Sequence, residues 1–275
     1  IMENGLKVPE DVTLLWCDDN YGYMTRLKEK NAKQRSGGAG VYYHLSYWGR
    51  PHDYLWLCTT QPGLIYSEMK QAYDNNARQE WIVNIHDPKP AAYDLELFMD
   101  MAWNINSVSP STINNHLGNW LIREFGESAG KKLLPVMQEY YRLCGIRRPE
   151  HMGWTQVELD KATHVRGLSW IKDTEFSNDF GGEIDRYLEH YAYIKKAVED
   201  IKQDISIEKR DAYFSHVEYQ VCAAADMATK MLEAQRARSY ANGQANATLW
   251  SRDSLMTLAA HRIPCRNAST EVDCD

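Results

Sequence analysis

Three short apolar runs in the first ninety residues each end abruptly in polar, acidic or aromatic side chains. The runs cover residues 12–17, 41–45 and 82–83, and the first is followed by Asp18 and the last by Asn84. Strands of parallel α/β folds are buried on both faces, while functional groups collect where the chain leaves the carboxyl end of a strand. The pattern therefore predicts a parallel sheet with a functional site along one edge.

Helical patterns separate the apolar runs, as an alternation of strands and helices requires. Pro62 opens a stretch whose apolar residues share one helix face, and a second such stretch covers residues 93–103. Residues 11–104 therefore predict about three βα units. A closed (β/α)₈ barrel needs about 250 residues. We expect residues 1–108 to be the C-terminal part of a TIM-like barrel whose other units precede Ile1.

The second half of the chain has a different periodicity. From Pro110 onward the apolar residues follow the spacing of long helices, for example over residues 184–201. This spacing predicts an all-α helical bundle over residues 109–240. Residues 241–275 have no regular pattern and are expected to form an irregular tail. The fold class expected for the whole chain is α/β, with a partial barrel followed by the bundle.

The composition argues against several kinds of partner. The formal net charge of −7 disfavours nucleic acid, because binding it needs clustered Lys and Arg side chains. No run of about 18 apolar residues occurs, so we expect no membrane span. The six cysteines lack CxxC spacing, and the polar residues near the strand ends lack the helical spacing of metal ligands. We therefore expect neither a metal nor a cofactor.

Polar side chains at the ends of the first and third runs are candidates for catalysis. Asp18 and Asp19 are adjacent, so their side chains point to opposite sides and at most one faces the site. Burial of that carboxyl group would raise its pKa and suit it to proton donation, whereas a helix cap or a loop ion pair is the structural alternative. Asn84 could orient a sugar hydroxyl or the attacking water, or else satisfy backbone groups in a turn.

A dense group of aromatic, imidazole and guanidinium side chains covers residues 42–54. Such a group suits a sugar acid, because Arg50 can clamp a carboxylate in bidentate fashion. His44 and His52 can donate to hydroxyl groups, although each histidine alone also fits a structural role. Trp48 or a tyrosine can stack on the apolar face of a sugar ring.

Three stretches resemble a known family: residues 15–22 (LWCDDNYG), 38–57 (GAGVYYHLSYWGRPHDYLWL) and 97–104 (LFMDMAWN). They are similar to glycoside hydrolase family 115, the xylan α-1,2-glucuronidases, and the resemblance extends over about residues 8–240. It implies an inverting enzyme that removes glucuronic acid or its 4-O-methyl ether from glucuronoxylan. It also implies a TIM-like barrel followed by a helical domain that helps to form a homodimer. A secreted or periplasmic location is suggested only by the xylan-degrading role.

The resemblance further implies which residues form the site. Asp18 or Asp19 is an active-site carboxylate, with Asp18 favoured, and Asn84 lines the same pocket. The expected substrate contacts are side chains of the aromatic and basic stretch together with one glutamine. They are Tyr43, His44, Tyr47, Trp48, Arg50, His52 and Gln61.

Gln61 lies in a strand-end loop where a catalytic or substrate-binding carboxylate is expected, and its amide cannot act as a general base. An inverting mechanism needs two carboxyl groups about 6.5–9.5 Å apart with a water between them. We expect the second carboxylate to precede Ile1, which would make the chain an incomplete piece of the enzyme. Two alternatives remain open: a non-catalytic carbohydrate-binding or dimerisation module, and an inactive truncated product.

Overall fold

The computed structural model describes residues 7–27, 35–49, 52–152, 174–178 and 180–240. Within these ranges a three-stranded sheet has the order β1-β2-β3, and both neighbouring pairs are parallel. The strands are β1 (Leu14–Cys17), β2 (Ala39–His44) and β3 (Ala77–Asn84). The predicted parallel sheet is therefore confirmed, and the third strand begins five residues earlier than its apolar core indicated. It does so because Ala77 already pairs with Ala39 of β2, while the polar side chains of Arg78, Gln79 and Glu80 are exposed.

Two helices cover one face of this sheet, α1 (Pro62–Asp74) between β2 and β3 and α2 (Ala92–Trp103) after β3. Pro62 occupies the first turn of α1, where its missing N–H costs nothing. Ile65, Met69 and Ala72 recur at helical spacing and are fully buried, so they form the face that packs on the sheet.

Side chains of β2 alternate between the two faces of the sheet, as strand geometry requires. Val41 and Tyr43 are fully buried on the helix-covered face. Tyr42 and His44 lie on the opposite face and are only half-buried. The register places Asn84 beside His44 on that second face. The carboxyl ends of the strands thus present polar side chains on the face that α1 and α2 leave uncovered.

The helices after α2 are α3 (Ile113–Phe125), α4 (Glu127–Ile146), α5 (Glu183–Ile201), α6 (Arg210–Tyr213) and α7 (Tyr219–Ser239). Among them α3 packs against α4, α4 against α5 and α5 against α7. Gly130 permits the close approach of α3 and α4, because a Cβ at this position would lie 2.6 Å from backbone atoms of Ile122. A π-helical turn, Phe214–Glu218, lies between α6 and α7.

Buried hydrogen bonds join the loop after β2 to the later helices. The backbone N–H of Cys58 donates to Oε1 of Gln220 on α7 at 2.7 Å, and the hydroxyl of Tyr140 on α4 donates to the carbonyl oxygen of Cys58 at 3.1 Å. This part of the sheet region and the helical region therefore share one hydrophobic core. The boundary between domains at residues 108–109 stays a prediction. The predicted tail, residues 241–275, lies outside the described residues.

Candidate functional site

A buried carboxylate–imidazole pair lies at the ends of β1 and β2. Asp18 directly follows β1, and its Oδ1 lies 2.5 Å from Nδ1 of His44, the last residue of β2. The backbone N–H of His44 donates to the other carboxylate oxygen at 3.3 Å. The pair forms because the parallel register aligns Cys17 with Tyr42, which brings the two strand ends side by side.

Burial gives this pair unusual electrostatics. The side chain of Asp18 is fully enclosed, whereas that of His44 is 15% exposed. Burial raises the pKa of Asp18, and the hydrogen bonds and charge of His44 oppose this rise. A carboxyl group held in this way can keep a proton at higher pH than an exposed aspartic acid, and it can exchange that proton with the imidazole.

The side chain of Asp19 forms hydrogen bonds within the loop after β1. Its Oδ1 accepts hydrogen bonds from the backbone N–H groups of Tyr21 and Tyr23 at 2.9 and 3.0 Å. Adjacent carboxylates thus have different surroundings, with Asp18 facing β2 and Asp19 closing its own turn. A catalytic role for either residue stays a prediction.

Asn84 extends the group of polar side chains across β3. Its side-chain amide donates to the hydroxyl of Tyr42 at 2.9 Å, and the Tyr42 ring lies 5.1 Å from the His44 ring. Asp18, Tyr42, His44 and Asn84 therefore form one contiguous group, which we call the strand-end cluster. Tyr42 was missing from the predicted site residues, although the alternation of side chains along β2 places it on the same face as His44.

Tyr43 is a correction to the predicted substrate contacts. It is fully buried on the helix-covered face, where its ring stacks on Phe98 at 6.2 Å. Its hydroxyl donates to the backbone oxygen of Gly22 at 3.1 Å. The single-residue alternation of a strand explains the error, because neighbours in sequence face opposite sides of the sheet. In this arrangement Tyr43 supports the loop after β1 from within the core.

The other predicted contacts surround the strand-end cluster in different ways. Tyr47 packs on His44 at 4.5 Å between ring centroids, and Trp48 is 80% exposed. His52 is buried, and its backbone oxygen accepts a hydrogen bond from the side chain of Asn20 at 2.6 Å. Arg50 lies outside the described residues.

A cavity of about 440 Å³ opens beside this group of residues. Its wall includes Gln61, which precedes α1, and the consecutive residues Arg147 and Arg148, which follow α4. Gly145 leaves room for Gln61, because a Cβ there would lie 3.0 Å from the Gln61 amide nitrogen. The cavity wall also includes His151.

Arg148 has no carboxylate partner within ion-pair distance in the part of the chain that the structure describes. One terminal nitrogen donates to the hydroxyls of Thr59 and Thr60 at 3.1 and 3.0 Å, and the guanidinium lies 4.2 Å from the centre of the Tyr54 ring. Arg147 pairs with Glu175 at 3.4 Å. Buried guanidinium groups with so little compensating charge make the cavity suitable for an anion.

Two neighbouring titratable groups do not neutralise this positive charge fully. Burial raises the pKa of Glu150 to about 7, and its carboxyl accepts a hydrogen bond from Thr59 at 3.2 Å. Burial, followed by the charge of Arg148, lowers the pKa of His151 to about 3, so the imidazole is neutral at pH 7. The sequence RRPEH directly after a long helix was the signal by which these residues could have been found.

Tyr54 connects the cavity to the strand-end cluster. Its hydroxyl donates to the backbone oxygen of His44 at 3.2 Å, and its ring contacts His151 at 5.9 Å and Tyr47 at 5.9 Å between centroids. The burial of Tyr54 therefore couples the position of the arginine-lined wall to that of the Asp18–His44 pair.

A grouping of metal-ligand type among the described residues lies elsewhere, on α2 and α3. It consists of Glu96, Asp100 and His116. Both carboxylate oxygens of Glu96 already accept hydrogen bonds from Arg123, at 2.7 and 2.6 Å. None of the helices in the described ranges combines the length and apolar character that a membrane span requires.

Comparisons with known proteins find a family and a solved structure that resemble this chain. The sequence model of "Glycosyl hydrolase family 115" matches residues 1–151. A solved structure, BtGH115A, is 45% identical with a TM-score of 0.78, and it is described as a family GH115 4-O-methyl-alpha-glucuronidase with specificity for decorated arabinogalactans. The alignment covers 97% of this chain and 34% of that one, so this chain spans about a third of its relative. A search of curated proteins finds no match. The family match covers more than half of the chain and agrees with the solved structure, so the chain belongs to glycosyl hydrolase family 115.

Proposed function

We propose that this chain acts in the hydrolysis of α-1,2-linked glucuronic acid or 4-O-methylglucuronic acid side groups from a polysaccharide. The observation that carries the proposal is the buried Asp18–His44 pair at the strand ends, in a member of this family. The fold assignment that accompanies it is a partial TIM-like barrel over residues 1–108 and a helical bundle over residues 109–240. The bundle would supply a homodimer contact.

The geometry supports a division of roles within the site. Asp18 is the enclosed carboxylate and His44 is its partly exposed neighbour, so a proton passes between the pair and the sugar through the imidazole. Asn84 orients a hydroxyl group or the attacking water, and Tyr47 and Trp48 offer aromatic faces. In an inverting reaction one carboxyl group protonates the leaving oxygen, while a second deprotonates the water. Among the described residues we assign only Asp18 to this pair.

The cavity beside the cluster is suited to the substrate carboxylate. Arg148 is buried in the cavity wall, and Thr59 and Thr60 hold only one of its terminal nitrogens, so its remaining N–H groups can meet a carboxylate with two parallel hydrogen bonds. The uronic acid would therefore enter with its carboxylate toward Arg148 and its anomeric carbon toward the Asp18–His44 pair.

The direct test is an assay of the whole chain on two polymers. Glucuronoxylan is the substrate that the sequence resemblance implies, and decorated arabinogalactan is the polymer for which the solved relative is specific. Release of the uronic acid, followed by chromatography and by NMR of the anomeric proton, is the expected result. First appearance of the β-anomer would confirm inversion. Absence of release from both polymers would exclude hydrolysis by this chain.

Arg148→Lys is expected to raise KM for the uronic acid substrate about tenfold, with a smaller change in kcat. The variant keeps the charge but loses the bidentate fork, so uniform binding of the carboxylate is weakened. Arg142→Lys, on the exposed side of α4, is the matched control and should leave KM unchanged. Thermal unfolding of each variant checks the fold. An unchanged KM in a folded Arg148→Lys variant would exclude this residue as the carboxylate site.

Gln61 favours a second candidate function, namely binding of the sugar acid without hydrolysis. An amide in the cavity wall cannot deprotonate water. Gln61→Glu distinguishes the two functions. If the chain already hydrolyses its substrate, a carboxylate near Arg148 competes with the sugar acid, and KM rises. If the chain only binds, the parent chain is expected to bind the sugar acid without releasing it. The Gln61→Glu variant is then expected to release measurable uronic acid.

A further inference from the structure

A groove lies at the opposite end of β3 from the strand-end cluster. It has a volume of about 420 Å³ and lies between the first half of β3, the end of α1 and the end of α2. The path along β3 from Arg78 to Asn84 is six residue steps, which is about 20 Å. The groove is therefore separate from the Asp18–His44 pair and from the arginine-lined cavity.

Trp103, the last residue of α2, lies at the edge of this groove and is 93% exposed. Exposure of a whole indole leaves a large apolar surface in water, which is unfavourable unless the ring has a partner. The neighbouring Trp81 differs, because its ring packs on Phe98 at 5.8 Å and its Nε1–H donates to the backbone oxygen of Ala77 at 2.6 Å. One aromatic ring is thus fixed in the groove wall, while the other has no ring contact with the residues that the structure describes.

Arg78 is held in place on the floor of the groove. Its guanidinium lies 3.9 Å from the centre of the Tyr73 ring, and its Nε donates to the backbone oxygen of Tyr73 at 2.8 Å. In the described ranges its two Nη groups have no hydrogen-bond acceptor. A guanidinium fixed at one edge offers the remaining N–H groups as oriented donors.

The remaining polar lining consists of exposed side chains that both donate and accept. Oδ1 of Asn104 accepts a hydrogen bond from the backbone N–H of Asn106 at 3.0 Å, which leaves its amide N–H₂ as a donor. Gln79 and Asn106 add further amides. Arg78 is balanced by Glu80 in the same lining, so the groove has no net charge.

These features specify the chemistry of a partner. A protein helix or strand would need a continuous apolar surface, and an anion would need excess positive charge. An exposed indole ring surrounded by planar amides and by one positive and one negative side chain suits a neutral sugar, whose ring has an apolar C–H face and a rim of hydroxyl groups. We propose that this groove, the Trp103 groove, binds neutral sugar units of a polysaccharide as a second carbohydrate site.

The test uses the whole chain and two probes without uronic acid, xylohexaose and a β-linked galactohexaose. Indole N–H resonances are followed by NMR during the titration, and Trp103→Phe assigns the resonance of Trp103. Binding of at least one probe is expected to shift this resonance, and Trp103→Ala is expected to weaken that binding about tenfold. Failure of both probes to shift the Trp103 resonance, or equal affinity of the Trp103→Ala variant, would overturn the proposal.

Three control variants separate this site from the strand-end cluster. Met99→Ala changes an exposed side chain of the same helix and should retain the affinity. Asp18→Asn should retain it as well, even where uronic acid release is lost, so failure of the hydrolytic proposal is distinguished from failure of this one. Trp48→Ala tests the other exposed indole. Loss of probe binding in Trp48→Ala, but not in Trp103→Ala, would assign the sugar to the strand ends and contradict the proposal.

Discussion

Replacing Asp18 by Asn is expected to lower uronic acid release by about 10³-fold. The amide keeps the size of the side chain, but it cannot hold the proton that the buried carboxyl shares with His44 across 2.5 Å. Because burial raises the pKa of Asp18, the parent chain should lose activity as the pH rises through that pKa. The measurement is kcat/KM for release as a function of pH, for the parent and the variant.

Asp19→Asn is the matched control for this experiment. Asp19 caps the loop through Tyr21 and Tyr23, so its replacement is expected to lower stability by about 1 kcal/mol while changing kcat much less than Asp18→Asn. Equal losses of kcat in the two variants would remove the special role that we assign to Asp18. Loss of kcat in Asp19→Asn alone would assign that role to Asp19.

Asp94→Asn is expected to stabilise the protein at neutral and alkaline pH. Asp94 lies in the first turn of α2 and is completely buried. It accepts hydrogen bonds from the thiol of Cys58 at 3.0 Å and from the hydroxyl of Tyr141 at 3.2 Å. Burial raises its pKa from an ordinary value of 3.8 to about 7. No cation lies in contact with this carboxylate among the described residues, so its ionised form is costly to bury.

The sign of the pH dependence follows from this raised pKa. Between pH 3.8 and about 7 the folded protein holds a proton on Asp94 that the unfolded chain has lost, so the free energy of unfolding falls as the pH rises. The decrease is complete above about pH 7 and amounts to at most about 4 kcal/mol. The amide of Asn has no such penalty, and it can still accept one of the two hydrogen bonds.

Urea unfolding at pH 4 and pH 8 measures this difference. The stability of Asp94→Asn relative to the parent should increase by up to about 4 kcal/mol between the two values of pH. Glu199→Gln, an exposed position on α5, is the control and should show little change. If the free energy of unfolding had the same pH dependence in the parent and in Asp94→Asn, the carboxylate would be ionised at little cost in the folded state.

The ends of the strands could be predicted from the sequence because buried parallel strands form short apolar runs that stop at polar residues. Apolar runs that stop at Asp18 and Asn84 can only be placed at one edge if their strands run parallel within one sheet, and they do. The contact between Asn84 and Tyr42 shows why the details were harder to predict. A shift of one residue along β2 exchanges the two faces of the sheet, so Tyr43 lies in the core while Tyr42 lies on the same face as His44.

The residues that line the arginine-lined cavity could not be grouped from the sequence. Gln61 and Arg148 are separated by 87 positions in the sequence, and neither lies in a regular pattern that indicates the other. They become neighbours only because α4 packs so that its end returns to the beginning of α1. The same packing fixes the burial of Glu150 and His151, and hence the direction in which each pKa moves.

The amino-acid sequence by itself determined the class of the fold and the order of strands and helices, because periodicity and turn chemistry act over a few residues. The family followed from the resemblance of three stretches of the sequence. Tertiary structure alone decided which side chains meet. It paired Asp18 with His44, enclosed Asp94 with no cation in contact among the described residues, and left Trp103 exposed beside a neutral groove. Burial and long-range contact depend on how whole elements pack, and that packing is a property of the complete chain rather than of any short stretch.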